Sequence, residues 1–188
     1  MLKTTFILLI FLFNPSLKIF AYDFTFKDQQ NSISVDFEKN QIKEIKFDVT
    51  IDGQRNFGIL NYHNDEIYIL LNTDKISFDN FKKIFPKPQQ NKKLEKKISF
   101  NWEISELTVS EQYSLFSNKL NFIYDQGFES LTFKDSKNDF ELSILPNKNG
   151  AKQIYLSSKN AGQFFYAQKI TKNMLGGALI GSGSFNKF

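Results

Sequence analysis

The sequence predicts a mainly antiparallel β protein, built as an open or closed barrel or as a sandwich, with one or two short helices. The first observation is apolar alternation with period two, clearest at Ile45, Phe47, Val49 and Ile51. Such alternation places every second side chain on one face of a strand. The second is the recurrence of Asn, Asp and Gly between alternating segments, which is typical of tight turns. The third is one segment, 77–85, whose apolar spacing is helical.

The first half of the chain has the pattern of an antiparallel meander. Short alternations at 24–26 and 33–37 precede the strand at 45–51, which a turn at Asp52-Gly53 closes. Segments 57–62 and 66–71 follow. The polar triplet between them, 63–65, is expected to form a hairpin loop.

A helix is predicted next, because Phe78, Phe81, Ile84 and Phe85 fall on one helical face. Ser77 or Asp79 can cap its start, and Pro86 ends it. The following residues, 86–97, contain proline and are almost devoid of apolar side chains. They are expected to form an exposed basic loop.

The second half returns to alternation. Residues 98–104 form the most regular predicted strand, whereas 110–120 fit either a helix behind Ser110 or an irregular strand. Five further strands are predicted, at 121–124, 128–133, 140–145, 153–156 and 163–170. Their junctions supply the Asn, Asp or Gly that positive φ angles favour, at 125–127, 136–138, 147–150 and 160–162.

The first 21 residues are expected to be a cleavable bacterial signal peptide. Lys3 precedes an apolar run at 6–13, which at about 12 Å as a helix is too short to span a bilayer. Asn14 and Pro15 break the run, and Ala21 offers a cleavage site. The mature chain is therefore expected to be periplasmic or secreted, with no transmembrane span.

The mature chain is expected to fold as one β-rich domain, 22–173, followed by a Gly-rich C-terminal tail, 174–188. The tail is interpreted as partly disordered or as a terminal edge strand. The chain contains no cysteine, which excludes disulfides, thiolate nucleophiles and Cys-ligated zinc. Stability must then come from packing.

Charge gives little reason to expect a nucleic-acid partner. The formal net charge is +4, but removal of Lys3 and Lys18 with the signal peptide leaves 22 basic against 20 acidic residues. Arg55 is the one arginine, and base readout relies on arginine forks. Nucleic acid is therefore not expected to bind.

A local cluster of lysines is the first candidate site. It creates a positive potential that suits an anionic envelope surface or an acidic envelope protein. The same lysines also fit a solubilising loop or a guard for a sheet edge. The cluster comprises Lys82, Lys83, Lys87, Lys92, Lys93, Lys96 and Lys97.

A set of aromatic residues is the second candidate site. These side chains can line a cavity for an apolar or lipid-like ligand, or they can fill the interior, since barrels of about eight strands lie at the boundary between the two. The set comprises Phe100, Trp102, Phe122, Tyr124, Phe133 and Phe140.

Catalysis has little support in the sequence. His63 adjoins two carboxylates at Asp65 and Glu66, but three such groups in a turn fall short of a structural zinc shell. No Gly-x-Ser-x-Gly motif or phosphate-binding glycine loop occurs. We expect neither catalytic residues, metal nor cofactor. The leading hypothesis is a non-catalytic envelope protein that binds a lipid-like ligand in a concave sheet; the alternative is an interaction protein that docks through a sheet edge or the basic loop.

Overall fold

The computed structural model describes most of the chain after residue 23. The side chains of the described residues, whose ranges are given below, are also described, except those of Phe24, Lys82, Lys83, Ile84 and Ala167. The predicted signal peptide lies outside the described residues, as do most of the basic loop and part of the tail. The described residues are 24–39, 41–51, 53–63, 65–84, 96–167, 170 and 176–185.

Eleven strands and two short helices make up the described residues. The first five strands are β1 (Phe24–Lys27), β2 (Ser32–Glu38), β3 (Gln41–Ile51), β4 (Gln54–His63) and β5 (Glu66–Ser77). Helix α1 (Phe78–Ile84) leads to β6 (Lys97–Ser110), β7 (Tyr113–Tyr124), β8 (Phe128–Lys134), β9 (Phe140–Pro146) and β10 (Lys152–Ser158). Helix α2 (Ala161–Ala167) and β11 (Leu179–Phe185) follow.

All eleven strands belong to one sheet, and their order in the sheet is their order in the chain. Every neighbouring pair is antiparallel except β5 and β6, which are parallel and are connected through α1. Within the described residues β1 and β11 pair on one side only, so the sheet is not closed. The predicted fold class, mainly antiparallel β with one or two short helices, is confirmed, and the sheet is consistent with an open barrel or a sandwich.

Apolar side chains form continuous rows across one face of this sheet. Because paired residues in neighbouring strands point to the same side, the registers can be followed from strand to strand. One row crosses all eleven strands, with glycine on β4 and β11: Phe26, Ile33, Phe47, Gly58, Leu71, Trp102, Leu120, Phe133, Leu142, Leu156 and Gly181. The adjacent row includes Val35, Ile45, Leu60, Ile69, Phe100, Phe122, Leu131, Ile144 and Ile154. We call this side the apolar face.

In three adjacent strands, the alternation of buried and exposed side chains shifts by one residue at the same level of the sheet. We call this shift the slip. On β5, β6 and β7 the buried positions change parity between 73 and 76, between 104 and 107, and between 115 and 118. Lys75, Glu106 and Phe116 remain paired across the slip. Ser117, with φ of 50°, lies on this line. Because all three strands slip together, the apolar face continues on both sides of the slip.

Buried Asn118 connects the two sides of the slip through hydrogen bonds of its side chain. Its Nδ2 donates to the carbonyl oxygens of Ile104 at 3.2 Å and Leu115 at 2.9 Å, one on each side of the irregularity. A buried backbone carbonyl without a partner costs about as much as a lost hydrogen bond. The asparagine therefore compensates for the break in the regular ladder.

Helix α1 agrees with the prediction. Its first turn is capped by Ser77, whose Oγ accepts a hydrogen bond from the backbone N–H of Asn80 at 3.3 Å. The apolar spacing places Phe78 and Phe81 against the buried core of the apolar face. The predicted end at Pro86 lies outside the described residues.

The predicted strand at 163–170 is wrong, because Ala161–Ala167 is helix α2. The adjacent aromatic residues at 164–166 favour a strand by local propensity. Tertiary packing decides otherwise, since a helix presents Phe164 to Phe78, Tyr113 and Phe140. The predicted turn at 160–162 is accordingly the start of this helix.

The structure also decides between the alternatives left open for segment 110–120 and for the C-terminal tail. The ambiguous segment 110–120 is a hairpin into β7, and the separately predicted strand at 121–124 is the end of that same strand. Part of the tail is an edge strand, β11. The strands are also longer than expected, since β6 has 14 residues and β5 and β7 have 12 each. The predicted turns at Gly53, Gln126, Asn138 and Gly150 all have positive φ.

Candidate apolar binding site

A cavity of about 320 Å³ lies between the two helices and the apolar face. The helices provide three phenylalanines, and the remaining lining comes from β6 to β9. All nine lining residues are apolar: Phe78, Phe81, Leu107, Leu120, Leu131, Phe133, Phe140, Leu142 and Phe164. Small-molecule sites have volumes of about 300 to 1,000 Å³, so this cavity falls at the small end of that range.

Ring contacts hold the helices over the sheet. Phe81 of α1 stacks on Trp102 with centroids 5.3 Å apart and meets Phe133 edge-on at 5.7 Å. Phe164 of α2 stacks on Phe140 at 4.3 Å. Stacked and edge-on aromatic pairs add about 0.5–1.5 kcal/mol each beyond the area they bury. The cavity walls are therefore positioned by packing between helices and strands.

The six predicted aromatic residues all lie on strands of the apolar face, but they serve different purposes. Phe133 and Phe140 line the cavity. Trp102 is fully buried in the core and donates its indole N–H to Thr73, so it fills space. Phe100 and Phe122 are half-buried beside that core. Tyr124 pairs with Ile98 and Phe128 at the opposite end of the strands from the helices.

Several lining residues were not among the predicted site residues. The sequence predicts that Phe78 and Phe81 lie on one face of a helix. That face packs on the apolar face of the sheet because α1 lies in the crossover between the parallel strands β5 and β6. Phe164 was assigned to a strand. The leucines at 107, 120, 131 and 142 carry no chemical signal in the sequence. Their convergence follows from strand register, which alternation alone does not determine.

The apolar face extends beyond the part that the helices contact. Leu131, Ile144 and Ile154 are paired across β8, β9 and β10 and are only partly buried. On the same face, over β2 to β5, a second buried cluster, Val35, Ile45, Leu60 and Ile67, packs with half-buried Ile69 and Ile98. Apolar surface therefore continues from the cavity along the strands.

One ion pair interrupts this apolar surface. Lys152, on β10, has a side chain only 4% exposed, and its Nζ lies 3.1 Å from Oε2 of Glu129. The same nitrogen donates to the backbone carbonyl oxygen of Glu129 at 2.7 Å. The Glu129 side chain is 38% exposed.

Two of the seven predicted lysines have described side chains. Nζ of Lys96 lies 6.0 Å from the ring centroid of Tyr62. Lys97 forms an ion pair with Glu66 at 3.2 Å, and the pKa of Glu66 is lowered by a hydrogen bond from Ser99, by Lys97 and by His63. Lys87, Lys92 and Lys93 lie outside the described residues, as do the side chains of Lys82 and Lys83.

The face opposite the apolar face carries cross-strand ion pairs. Arg55 binds Asp48 through two hydrogen bonds of 2.9 and 2.7 Å, which lower the pKa of that carboxyl. Lys75 pairs with Glu106 at 3.0 Å, and hydrogen bonds from Lys75 and Ser114 lower the pKa of Glu106. Exposed pairs of this kind contribute about 0–1 kcal/mol each. This face therefore carries paired charges that are exposed to solvent.

The predicted hairpin between β4 and β5 is present, but His63 pairs with Glu66 and so lies in β4, not in the predicted loop at 63–65. Among the described residues, no cluster of three or more His, Cys, Asp or Glu could hold a metal ion. In that same part of the chain, none of the helices has both the length and the apolar character needed to cross a membrane. The chain matches no protein-family model, no curated protein and no solved structure.

Proposed function

We propose that this protein is an exported, non-catalytic protein of the bacterial cell envelope that binds an apolar or lipid-like ligand on the apolar face of its sheet. The observation that carries the proposal is the cavity beneath α1 and α2, whose lining is entirely apolar. Sites for small apolar molecules are concave and mostly hydrophobic. A cavity of this kind favours the ligand-binding hypothesis over a fully packed interior.

Apolar surface that continues past the cavity supports a ligand with an extended chain. The partly buried row of Leu131, Ile144 and Ile154 begins at the cavity lining and runs across β8, β9 and β10. Burial of such surface stabilises a complex by about 25 cal/mol per Å² of apolar area. A lipid tail offers the linear apolar shape that such a surface covers.

Export is supported by the sequence of residues 1–21. A basic residue, a short apolar run and a small residue occur there in the order that a signal peptide requires. The envelope is also where lipids and their headgroups are abundant. Location and ligand class therefore fit one another.

Native mass spectrometry of the protein isolated from its host's envelope tests this proposal. A mature mass beginning near Tyr22 together with an added small-molecule mass is the expected result. An intact Met1 contradicts export. A mature protein that carries no ligand, and that binds no neutral apolar probe after purification, contradicts ligand binding.

A second candidate function, docking on another envelope protein, is favoured by the free edges of the sheet. β1 and β11 each lack a second neighbour among the described residues. Phe26 is 54% exposed and Ile180 is 76% exposed on these edge strands. An added strand from a partner would satisfy the free backbone groups. Cross-linking at Ile180 that traps one defined envelope protein, with no bound ligand, would favour this function.

A further inference from the structure

Lys152 is a buried cation on the apolar face. Along β10 it precedes Ile154 and Leu156 on that face, while Gln153 and Tyr155 are exposed on the other. Its side chain is 4% exposed. Burial of a charge in apolar surroundings is costly unless the charge is paired. The position of this charged side chain beside Ile154, on a mostly apolar surface, therefore calls for an explanation.

Among the described residues, Glu129 supplies both polar contacts of the Lys152 ammonium group. It lies at an irregularity between β7 and β8, where Ser130 pairs with Ile123 but Phe128 pairs with Tyr124. The backbone carbonyl of Glu129 accepts a hydrogen bond of 2.7 Å from Nζ. Its carboxylate lies 3.1 Å from Nζ. An ammonium group has three donors, so these contacts leave capacity for another acceptor.

The two members of the ion pair differ in exposure. The Glu129 side chain is 38% exposed against 4% for Lys152. If the Glu129 carboxylate moves away from Lys152, water can therefore solvate it. The lysine ammonium group, in contrast, remains in its apolar surroundings. A second anion that arrives along the apolar face can then replace that carboxylate without leaving a buried charge unpaired.

The distance from the ion pair to the cavity fits an acyl chain. Leu131, which lines the cavity, is two residues from Glu129 on the same strand, or about 7 Å. At the helix end Phe140 pairs with Ser158, which is six residues from Lys152, or about 20 Å along β10. One leaflet of a bilayer core is about 15 Å thick. A chain of membrane-lipid length would therefore reach from the cavity to Lys152.

We infer that Lys152 binds the anionic head of a ligand whose linear acyl chain occupies the apolar face, and that this head replaces the carboxylate of Glu129. The inference rests on the proposed function and names the ligand class: a carboxylate or phosphate on a long apolar chain. A charge-assisted hydrogen bond in low dielectric is stronger than one in water. The site therefore selects anionic amphiphiles over neutral ones with the same chain.

A purely structural lysine would behave differently. If Lys152 served only to cap the free carbonyl of Glu129, its removal would lower stability and leave ligand selectivity unchanged. The ratio of affinities for a charged and a neutral ligand separates the two roles, because a general loss of stability affects both ligands alike.

The experiment measures displacement of the neutral probe N-phenyl-1-naphthylamine from the mature protein by palmitate, hexadecyl phosphate and hexadecan-1-ol. For the wild type we expect at least one anion to bind about tenfold more tightly than the alcohol, or more. A preference for palmitate assigns a fatty acid, and one for hexadecyl phosphate assigns a phosphate head. Lys152→Met should abolish the preference. Glu129→Gln should raise affinity for the preferred anion, because the competing carboxylate is gone.

Lys119→Met is the matched control, since Lys119 forms an exposed ion pair of 3.0 Å with Glu103 on the opposite face. It should leave the preference unchanged. Equal binding of anions and alcohol by the wild type overturns this inference but leaves the proposed function in place. A preference for the anion that survives Lys152→Met has the same two consequences. Wild type that binds neither probe nor ligand overturns both. If Lys152→Met does not fold, the wild-type preference and the Glu129→Gln result decide.

Discussion

Trp102 and Thr73 are joined by a buried hydrogen bond, in which the indole Nε1 donates to the threonine Oγ1 at 2.9 Å. Both residues are almost completely buried on the apolar face. The threonine hydroxyl in turn donates to Oδ1 of Asn56 at 2.9 Å. Since the indole N–H is the one polar group of the tryptophan side chain, this bond lets a large residue fill the core beside the cavity.

Thr73→Val should lower the free energy of unfolding by about 1–3 kcal/mol, because it leaves the Trp102 indole N–H buried without an acceptor. Urea denaturation, followed by fluorescence of the single tryptophan, measures the change. Thr132→Val is the control, since Thr132 accepts an exposed hydrogen bond of 3.1 Å from Asn121. It should change stability by less than about 0.5 kcal/mol. Equal losses in the two variants would contradict this role of Thr73.

Gly58→Ala should destabilise the protein by about 1–3 kcal/mol through overpacking. A Cβ at this buried position on β4 would lie 2.1 Å from the carbonyl oxygen of Leu70 and 3.0 Å from the Phe47 ring. Gly183→Ala on β11 is the control, because a Cβ there meets nothing within 4 Å. Thermal unfolding of the two variants checks the difference. Loss of stability in Gly183→Ala alone would show that the register described for β4 is wrong.

Tyr113 should make stability depend on pH in the alkaline range. Burial, and then the nearby Asp139 and Asp135, raise the pKa of Tyr113 from 10.0 to about 12. The folded state therefore holds the phenolic proton more tightly than the unfolded state. This contribution to stability is fully present below pH 10 and is lost as the pH rises from 10 towards 12.

Tyr113→Phe tests that dependence. The buried hydroxyl has no hydrogen-bond partner in the described part of the chain, so near neutral pH the variant should be as stable as the wild type, or more stable by up to about 1 kcal/mol. The difference should grow in favour of the variant as the pH rises above 10. Tyr155→Phe, at an exposed position on β10, controls for general effects of tyrosine removal. A difference that does not vary with pH would contradict the raised pKa.

Sequence alone predicted those elements whose signals are local. The alternation at 45–51 and the helical spacing of Phe78 and Phe81 both survive in the structure, because one face of each segment is buried against a single apolar surface. The turns at Gly53 and Gly150 also follow from local chemistry, since their φ angles are positive.

Features that depend on distant contacts could not be predicted. The sequence of α2 predicts a strand, because its adjacent aromatic residues favour one by local propensity. The packing of Phe164 against Phe140, which local propensity does not reveal, accompanies the helix instead. The parallel pairing of β5 with β6 joins strands separated by α1 and the predicted basic loop, and alternation within each strand does not indicate its partner. The ion pair of Lys152 with Glu129 joins residues 23 positions apart, and nothing near either residue indicates the other.

A matched pair of substitutions on β9 tests ligand binding at the cavity most directly. Leu142 lines the cavity, whereas Leu145 is 43% exposed on the same strand. The larger side chain of Leu142→Trp should project into the cavity of about 320 Å³ and obstruct the ligand. Titration with N-phenyl-1-naphthylamine should then show binding lost in Leu142→Trp and retained in Leu145→Trp, with both variants folded by circular dichroism. Unchanged probe binding in a folded Leu142→Trp protein would contradict the assignment of this cavity as the ligand site.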